Sequence, residues 1–212
     1  MLTELFKRYR TIGIVGNTGT GKSMLALTEI IELKQKVDVD VYVLGAEPST
    51  YTYLESKGIK ILKSKYDLLD LKIKNAVIVI EEFGDIFSVN AKDKQLEKLK
   101  RFFNRIEHLN NYVIITSAQA NFWNKLICGV VRAYLVKSIE FNMLVNGTTL
   151  KRKIRGITEN TSDYRLDIPT DVFYVINDDE IVSRHTFRYD KNLDSKRDKI
   201  NPFIQNDERK KR

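Results

Sequence analysis

Cysteine, histidine and long apolar runs are scarce in this sequence of 212 residues. The single cysteine, Cys128, excludes an internal disulfide and any zinc site built from several cysteines. With only His108 and His185 beside it, no zinc centre is expected. No apolar run approaches the roughly 20 residues that span a bilayer, and the N-terminal MLTELFKRYR lacks the apolar core of a signal peptide. These absences predict an intracellular protein without a transmembrane segment.

The composition, 42% hydrophobic and 30% charged, is typical of a globular protein. The length predicts a single domain over residues 1–200, with a core at about 10–140 and a β-rich extension at about 141–190. Residues 201–212, which end in ERKKR, are predicted to form a mobile basic tail. Lys and Arg number 36 against 28 Asp and Glu, and this excess of 8 positive charges favours polyanionic partners.

Short β-rich runs alternate with helical patterns over the first two thirds of the chain, which is typical of helices packed on a mostly parallel sheet. The runs are almost continuously apolar, as expected for strands that are covered on both faces. We predict strands at 11–16, 40–45, 76–81, 112–117 and 132–137, and helices at 22–36, near 50–57 and at 93–110. The predicted fold class is therefore α/β.

The helix predicted at 93–110 has two distinct sides. Leucine, isoleucine and phenylalanine recur on one side, which is predicted to face the core. A separate stripe carries positive charge at spacings of four, three and four residues, and consists of Lys94, Lys98, Arg101 and Arg105.

Beyond Phe141 the pattern becomes antiparallel. Asn146-Gly147 stands between two β-like runs in FNMLVNGTTLKRKI and predicts a β-hairpin. A further strand near 172–176 is expected to complete the sheet. The fold prediction is thus a mostly parallel central sheet flanked by helices, with a C-terminal antiparallel β-hairpin extension.

The segment GNTGTGKS follows the first strand and precedes the first long helix. It matches G-x-x-x-x-G-K-[ST] at every fixed position, the pattern of a loop whose backbone N–H groups cradle phosphates. In this pattern Lys22 reaches the β- and γ-phosphate oxygens and Ser23 ligates Mg²⁺, and the following helix adds its positive end. The residues predicted to bind the nucleotide are Gly16, Asn17, Thr18, Gly19, Thr20, Gly21, Lys22 and Ser23.

Two acidic residues, Glu81 and Glu82, end the buried strand AVIVI. In P-loop ATPases the first acid at this place holds Mg²⁺ through water, and a following glutamate polarises the attacking water. The first acid is usually aspartate, so Glu81, which is one methylene longer, is a departure that bears on the metal geometry. We predict Glu81 as a metal ligand and Glu82 as the catalytic base.

A polar strand end completes the predicted site. ATPases with a catalytic glutamate carry an extra strand between the P-loop strand and the acidic strand, and VIITS, followed by Ala118 and Gln119, fits that strand. Gln119 is predicted to orient water or to sense hydrolysis beside the γ-phosphate. A GTPase is excluded because NKLI has Ile127 where the guanine-reading aspartate must be. These features are typical of RecA-like P-loop NTPases of the ASCE class.

The motifs GNTGTGKS, AVIVIEEFGD and VIITSAQA, with an arginine-bearing helix between the second and the third, resemble those of the FtsK–HerA superfamily of DNA-pumping ATPases. Because little precedes the P-loop strand, the resemblance is to the minimal branch, the genome-packaging ATPases of membrane-containing icosahedral viruses, archaeal ones included. It covers roughly residues 10–140.

The resemblance implies a motor that packages a viral genome. It implies a pentameric or hexameric ring that threads double-stranded DNA and hydrolyses ATP with Mg²⁺ between neighbours, in the host cytoplasm or with the virion, whose capsid or membrane proteins would be further partners. An arginine supplied across the subunit interface is also implied, and its candidates are Arg105 and Arg132. Because phosphate contacts are independent of sequence, DNA contacts are expected from Lys151, Arg152, Lys153 and Arg155 in the hairpin or from Lys94, Lys98 and Arg101 on the helix.

Other functions remain open at this point. An ATPase of filamentous-phage assembly or of conjugation would share the motor chemistry. A small nucleotide kinase would consume a phosphate acceptor and ignore DNA. A non-catalytic adaptor would bind ATP only to change partners, and Glu82 would then be incidental.

Overall fold

The computed structural model describes residues 1–70, 73–87, 93–118, 130–137, 139–140, 165–166, 171–177, 182–188 and 190–193. The helices are α1 (Leu2–Phe6), α2 (Lys22–Lys36), α3 (Tyr51–Ser56), α4 (Lys65–Asp70), α5 (Phe83–Ile86) and α6 (Asp93–Arg105). The strands are β1 (Thr11–Val15), β2 (Asp40–Leu44), β3 (Ile59–Leu62), β4 (Ala76–Ile80), β5 (Tyr112–Ser117), β6 (Ala133–Val136), β7 (Ile139–Glu140), β8 (Arg165–Leu166), β9 (Val172–Asn177) and β10 (Val182–Thr186).

Eight strands form one sheet in the order β10-β9-β6-β1-β5-β4-β2-β3. Six neighbouring strands are parallel, namely β6, β1, β5, β4, β2 and β3. The strands β9 and β10 run antiparallel to their neighbours. The predicted class, a mostly parallel α/β sheet with antiparallel C-terminal strands, is therefore confirmed. In addition, β5 lies between the P-loop strand β1 and the acidic strand β4, as the sequence predicted.

Helices cover both faces of the parallel part of the sheet, and this explains the continuous apolar runs of its strands. All five residues of β1 and of β4 are buried. On one face, α2 packs its apolar side on the sheet, with Leu25 and Ile30 fully buried. On the other face, α6 contributes Leu99 and Phe103 to a second cluster of buried side chains.

Two sequence predictions need correction. The helix predicted at 93–110 ends at Arg105, because turns follow and Asn110 adopts a positive φ of 52°. The strand β9 does not complete the sheet, since β10 pairs outside it. The short elements β3 and α4 were not anticipated. The hairpin at Asn146-Gly147 and the tail 201–212 lie outside the described residues.

Asparagine side chains fasten the edge of the sheet where the parallel strands begin, here called the amino edge. Asn111, only 1% exposed, accepts a hydrogen bond from the Ala76 N–H at 3.1 Å and donates one to the Ile73 carbonyl at 2.8 Å. The Asn110 amide donates to the Asn75 side-chain oxygen at 2.9 Å. The opposite edge, where the parallel strands end, is here called the carboxyl edge and carries the phosphate loop.

Candidate nucleotide-binding and hydrolysis site

The phosphate loop follows β1 at the carboxyl edge, and three of its hydrogen bonds share one acceptor, the carbonyl group of Asn17. The Asn17 carbonyl accepts hydrogen bonds from the Thr20 N–H at 3.3 Å, the Thr20 hydroxyl at 2.8 Å and the Lys22 ammonium at 3.1 Å. The curl requires a positive φ of 81° at Gly19 and of 87° at Gly21, which glycine adopts without strain. Because Gly21 caps α2, the free N–H groups and the positive end of that helix begin at this loop.

Lys22 is a buried cation that already has an anionic partner. Its side chain is 4% exposed, and its Nζ lies 3.5 Å from Oε1 of Glu82. Burial lowers the pKa of Lys22, while the attraction of Glu82 and the hydrogen bond with it oppose that change. The predicted phosphate-binding lysine and the predicted catalytic base therefore form an ion pair, which sequence reasoning did not foresee.

Glu81 is a buried carboxyl group at the end of β4, and its Oε1 has no hydrogen-bond partner. Burial raises the pKa of Glu81 to about 7, against the opposing effect of a hydrogen bond with Ser23. A carboxylate and a hydroxyl oxygen side by side are donors that Mg²⁺ prefers. The unpartnered Oε1 supplies the free ligand atom, so Ser23 and Glu81 fit a magnesium site despite the longer side chain of Glu81.

The main chain around Glu81 is closely packed. Its N–H donates to the Leu44 carbonyl at 2.9 Å. Gly45, which follows Leu44 at the end of β2, has a φ of 86°. A Cβ at this position would lie 2.7 Å from the Glu81 carbonyl oxygen. Only glycine allows the two backbone segments to come this close. Their close packing fixes the position of the two glutamates that follow β4.

Glu82 has a strained backbone conformation and contacts the end of β5 and the residue that follows it. Its φ of 43° lies in the left-handed region, which is uncommon for a residue with a side chain. Its N–H donates to the Thr116 hydroxyl at 3.0 Å, and its Oε2 accepts from the Ala118 N–H at 3.3 Å. Because its side chain is still 41% exposed, water can reach the carboxylate that these contacts orient.

The structure thus brings Lys22, Ser23, Glu81 and Glu82 close together, and their roles stay predictions. Gln119 lies outside the described residues, directly after Ala118. The predicted DNA-contact residues Lys151, Arg152, Lys153 and Arg155 also lie outside them, as does the side chain of Lys94.

The two candidate arginines lie at the amino edge of their own chain. Arg105 ends α6 beside the turn that leads to β5, and Arg132 directly precedes β6. Both are therefore at the opposite edge of the sheet from the phosphate loop that the same chain provides. A residue that acts across a subunit interface does not need to be near its own loop, so both stay candidates.

Sequence reasoning missed Thr116 as a contact of Glu82. The signal was a hydroxyl residue at the end of an otherwise apolar strand, and Thr116 is fully buried between its neighbours β1 and β4. A buried hydroxyl needs a hydrogen-bond partner, and here the partner is the strained residue that follows β4.

Solved structures with a similar fold include viral packaging enzymes. The DNA-packaging ATPase B204 of Sulfolobus turreted icosahedral virus matches with a TM-score of 0.65 and 11% identity, over 85% of this chain and 98% of that one. The genome-packaging NTPase B204 of Sulfolobus turreted icosahedral virus 2, in complex with AMPPCP, matches with a TM-score of 0.62 and 11% identity, over 84% and 97%.

A third similar structure is the N-terminal domain of zonular occludens toxin from Neisseria meningitidis, with a TM-score of 0.50 and 11% identity, over 88% of this chain and 97% of that one. At these identities the likeness shows the fold. No curated protein sequence matches this chain. Among the described residues, none of the helices has the length and apolar composition that a bilayer crossing requires.

The sheet order, the phosphate loop and the paired glutamates define the class as P-loop ATPases that carry an extra strand between the P-loop strand and the acidic strand. The fold that the resemblance to the FtsK–HerA superfamily implies is confirmed. The chain belongs to the zonular occludens toxin (Zot) family, whose profile matches residues 53–174, more than half of the sequence. The matched range includes both glutamates and begins after the phosphate loop.

Proposed function

We propose that this protein hydrolyses ATP with Mg²⁺ and uses the energy to move double-stranded DNA. The observation that best supports hydrolysis is the placement of Glu82. Contacts with Thr116 and Ala118 orient this residue, and its Oε1 lies 3.5 Å from Nζ of Lys22 in the phosphate loop. A merely structural acid at a strand end would not need a strained backbone or a buried cation as its partner.

Each residue of the site has a role in this proposal. Lys22 binds the β- and γ-phosphate oxygens, and Ser23 and Glu81 hold Mg²⁺, which supplies charge neutralisation of the phosphates. Glu82 accepts a proton from the water that attacks the γ-phosphate. Gln119 follows the residue that contacts Glu82, and we assign to it the orientation of that water.

We further propose that the motor packages a viral genome. The support is the fold shared with two viral packaging enzymes and the net charge of +8, which favours a polyanion. The subunits form a ring, and capsid or membrane proteins of the virion are further partners. The working location is the host cytoplasm or the assembling virion.

One arginine is proposed to reach the nucleotide of the neighbouring subunit. Arg105 and Arg132 are both exposed, and a charge supplied in this way is worth roughly 10³–10⁵ in rate in related chemistry. Replacing each arginine by glutamine separates them, because only the one that acts in trans should lower kcat by such a factor at saturating ATP.

DNA contacts are proposed for the basic cluster Lys151, Arg152, Lys153 and Arg155, with Lys94, Lys98 and Arg101 as the second group. Four cations among five consecutive residues suit phosphate contacts that ignore sequence.

An ATPase of filamentous-phage assembly or of conjugation is the second candidate function, and it shares the hydrolysis step. A nucleotide kinase or a non-catalytic adaptor would show no dependence of turnover on DNA.

The test is steady-state ATP hydrolysis by the purified protein, with and without long double-stranded DNA, at two salt concentrations. We expect stimulation by DNA that weakens as salt rises, because phosphate contacts release counterions. Hydrolysis that is indifferent to DNA would contradict the translocase and favour the kinase or the adaptor.

A matched pair of variants tests the catalytic assignment. Glu82→Gln should retain ATP binding and lose roughly 10²–10⁴ in kcat, the usual contribution of a positioned general base. Asp85→Asn, an exposed carboxylate in α5 close to the site, should leave kcat unchanged. Full turnover by Glu82→Gln would make Glu82 incidental.

A further inference from the structure

A groove opens between α4 and α6 near the amino edge, away from the phosphate loop. Its cavity has a volume of about 230 Å³, and its apolar floor includes Leu68, Ile73 and Phe102. Arg101 and Arg105, one helical turn apart on α6, line the same groove. We call this surface the α4–α6 groove.

The two arginines of the groove have no acidic partner among the described residues. Both are exposed at the surface, and neither takes part in an ion pair there. Cations beside an apolar floor match a ligand that carries carboxylates next to an apolar side chain. A basic face that was only solvated would not need an apolar floor.

The size and the floor of the groove argue against nucleic acid and nucleotides. Sites for small-molecule ligands usually have volumes of roughly 300–1,000 Å³, and this cavity of about 230 Å³ is smaller. Duplex DNA presents phosphates, which need cations and gain nothing from leucine and phenylalanine side chains. One or two protein side chains are the occupants that fit.

The sequence contains one segment with the complementary chemistry. Residues 178–181 read Asp-Asp-Glu-Ile, and they include the only three consecutive acidic residues of the chain. This segment joins β9 to β10. Because Asn177 pairs with Ala133 at the start of β6, the described chain leaves β9 at the amino edge, the same edge at which the groove opens.

The same chain cannot deliver this segment to its own groove. In the sheet order β6, β1 and β5 separate β9 from β4, which corresponds to roughly 19 Å at the usual strand spacing. Four residues extend over at most about 14 Å, and here both of their ends are fixed in strands. A second copy is therefore needed, since β9 lies toward one end of the sheet order and β3, which α4 contacts, at the other.

We propose that the α4–α6 groove binds the segment 178–181 of a second copy, so that successive subunits join head to tail. A contact between two different surfaces of one chain generates a closed ring when its rotation closes. The inference deepens the proposed function, because it names the surfaces that build the proposed ring. It also occupies the Arg105 guanidinium, which leaves Arg132 as the arginine that acts on the neighbouring nucleotide.

The test is the mass of the assembly by sedimentation velocity over a range of protein concentrations, with a non-hydrolysable ATP analogue and Mg²⁺. Reversal of the groove charge, Arg101→Glu with Arg105→Glu, should weaken association at least tenfold. Reversal of the segment, Asp178→Lys with Asp179→Lys, should do the same. A chain that carries all four substitutions should regain assembly, which also shows that the variants fold.

Lys100→Glu is the matched control, since Lys100 is exposed on α6 and does not line the groove; it should leave association unchanged. Failure of the fourfold variant to assemble would overturn the inference, and so would unchanged assembly of the groove variant with loss of its DNA binding. A wild-type chain that hydrolyses ATP as a monomer would overturn the inference and leave the hydrolysis intact. Charge-coupled assembly without hydrolysis would support it and contradict the proposed function.

Discussion

The carboxyl and amino edges of the sheet differ in how their buried polar groups are hydrogen-bonded. At the amino edge, Asn111 supplies hydrogen-bond partners to a neighbouring N–H and a carbonyl. At the carboxyl edge, one oxygen of Glu81 and the side-chain oxygen of Asn17 are buried without a partner. The described polar groups of the amino edge are thus paired within the protein, whereas the carboxyl edge keeps buried oxygens that are free to accept from a ligand.

Backbone strain divides in the same way. Asn75 and Asn110 have positive φ angles of 53° and 52° at the amino edge, where asparagine tolerates this conformation at little cost. Glu82 has a φ of 43° at the carboxyl edge, where glutamate gains nothing locally from it. Among the described residues, strain that the residue type does not relieve therefore occurs at the carboxyl edge, as expected when it serves to orient a side chain.

The largest expected effect comes from two glycines with similar φ angles near opposite edges. Gly45→Ala should lower the free energy of unfolding by about 4 kcal/mol, because the new Cβ adds a clash with the Glu81 carbonyl to the cost of a positive φ. Gly58→Ala, with φ +74° and only the flexible Lys34 side chain nearby, should cost about 1 kcal/mol. Urea denaturation measures both, and equal losses would contradict the close packing at Glu81.

Asn111→Ala should affect stability alone. It leaves the Ala76 N–H and the Ile73 carbonyl without their partner, which should lower the free energy of unfolding by about 3 kcal/mol. The folded fraction should keep its kcat, because these groups lie at the edge away from the phosphate loop. A loss of kcat measured well below the melting temperature would break the proposed separation of the two edges.

Glu81 should make stability depend on pH in the protein without Mg²⁺. Its pKa is raised from the ordinary 4.5 to about 7 by burial, so the folded state binds the proton more tightly than the unfolded state. The stability that Glu81 contributes is therefore present below pH 4.5 and lost as pH rises to 7.

Glu81→Gln removes this dependence. Its stability relative to the wild type should rise by about 2 kcal/mol over that pH range, as measured by denaturant unfolding at fixed pH values. A constant difference across the range would refute the assignment. Direct titration of the Glu81 carboxyl carbon by NMR would decide the same point independently.

The smallest expected change in stability is at Thr116, near the carboxyl end of β5, the strand that begins after Asn111. Thr116→Val keeps the shape but removes the hydroxyl that accepts from the Glu82 N–H. We expect a loss of about 1 kcal/mol in stability and of roughly tenfold in kcat, with ATP affinity retained, because a misdirected base is a less effective one. Thr116→Ser should restore kcat, and failure to do so would assign Thr116 to packing.

The parts of the fold that the sequence predicted are those with strong periodic signals. The helix α2 was predicted at its observed bounds, 22–36, and the strand β5 at 112–117. The strand β3, Ile-Lys-Ile-Leu, is short and lies at one end of the sheet, where Lys60 interrupts its apolar run. At the other end, β10 reads Val-Ser-Arg-His-Thr and has no apolar run at all.

The grouping of Lys22, Ser23 and the two glutamates was predictable, because phosphate and Mg²⁺ chemistry calls for these residue types and their motifs lie at the carboxyl ends of parallel strands. The chemistry of the site was not predictable where a residue acts on its neighbours in space. The contact of Thr116 with Glu82 depends on the pairing of β4 with β5, which joins residues that are 34 positions apart. The ion pair of Lys22 with Glu82 likewise exists only once the sheet has formed.

The two strands that end the described sheet order, β3 and β10, bear on how copies of the chain can meet. A strand at the end of a sheet offers unpaired backbone groups to any other chain, and charged side chains on it discourage such pairing. Lys60 is exposed on β3, and Arg184 is exposed on β10. Such charges disfavour edge-to-edge pairing between copies, which favours assembly through side chains over a continuous sheet.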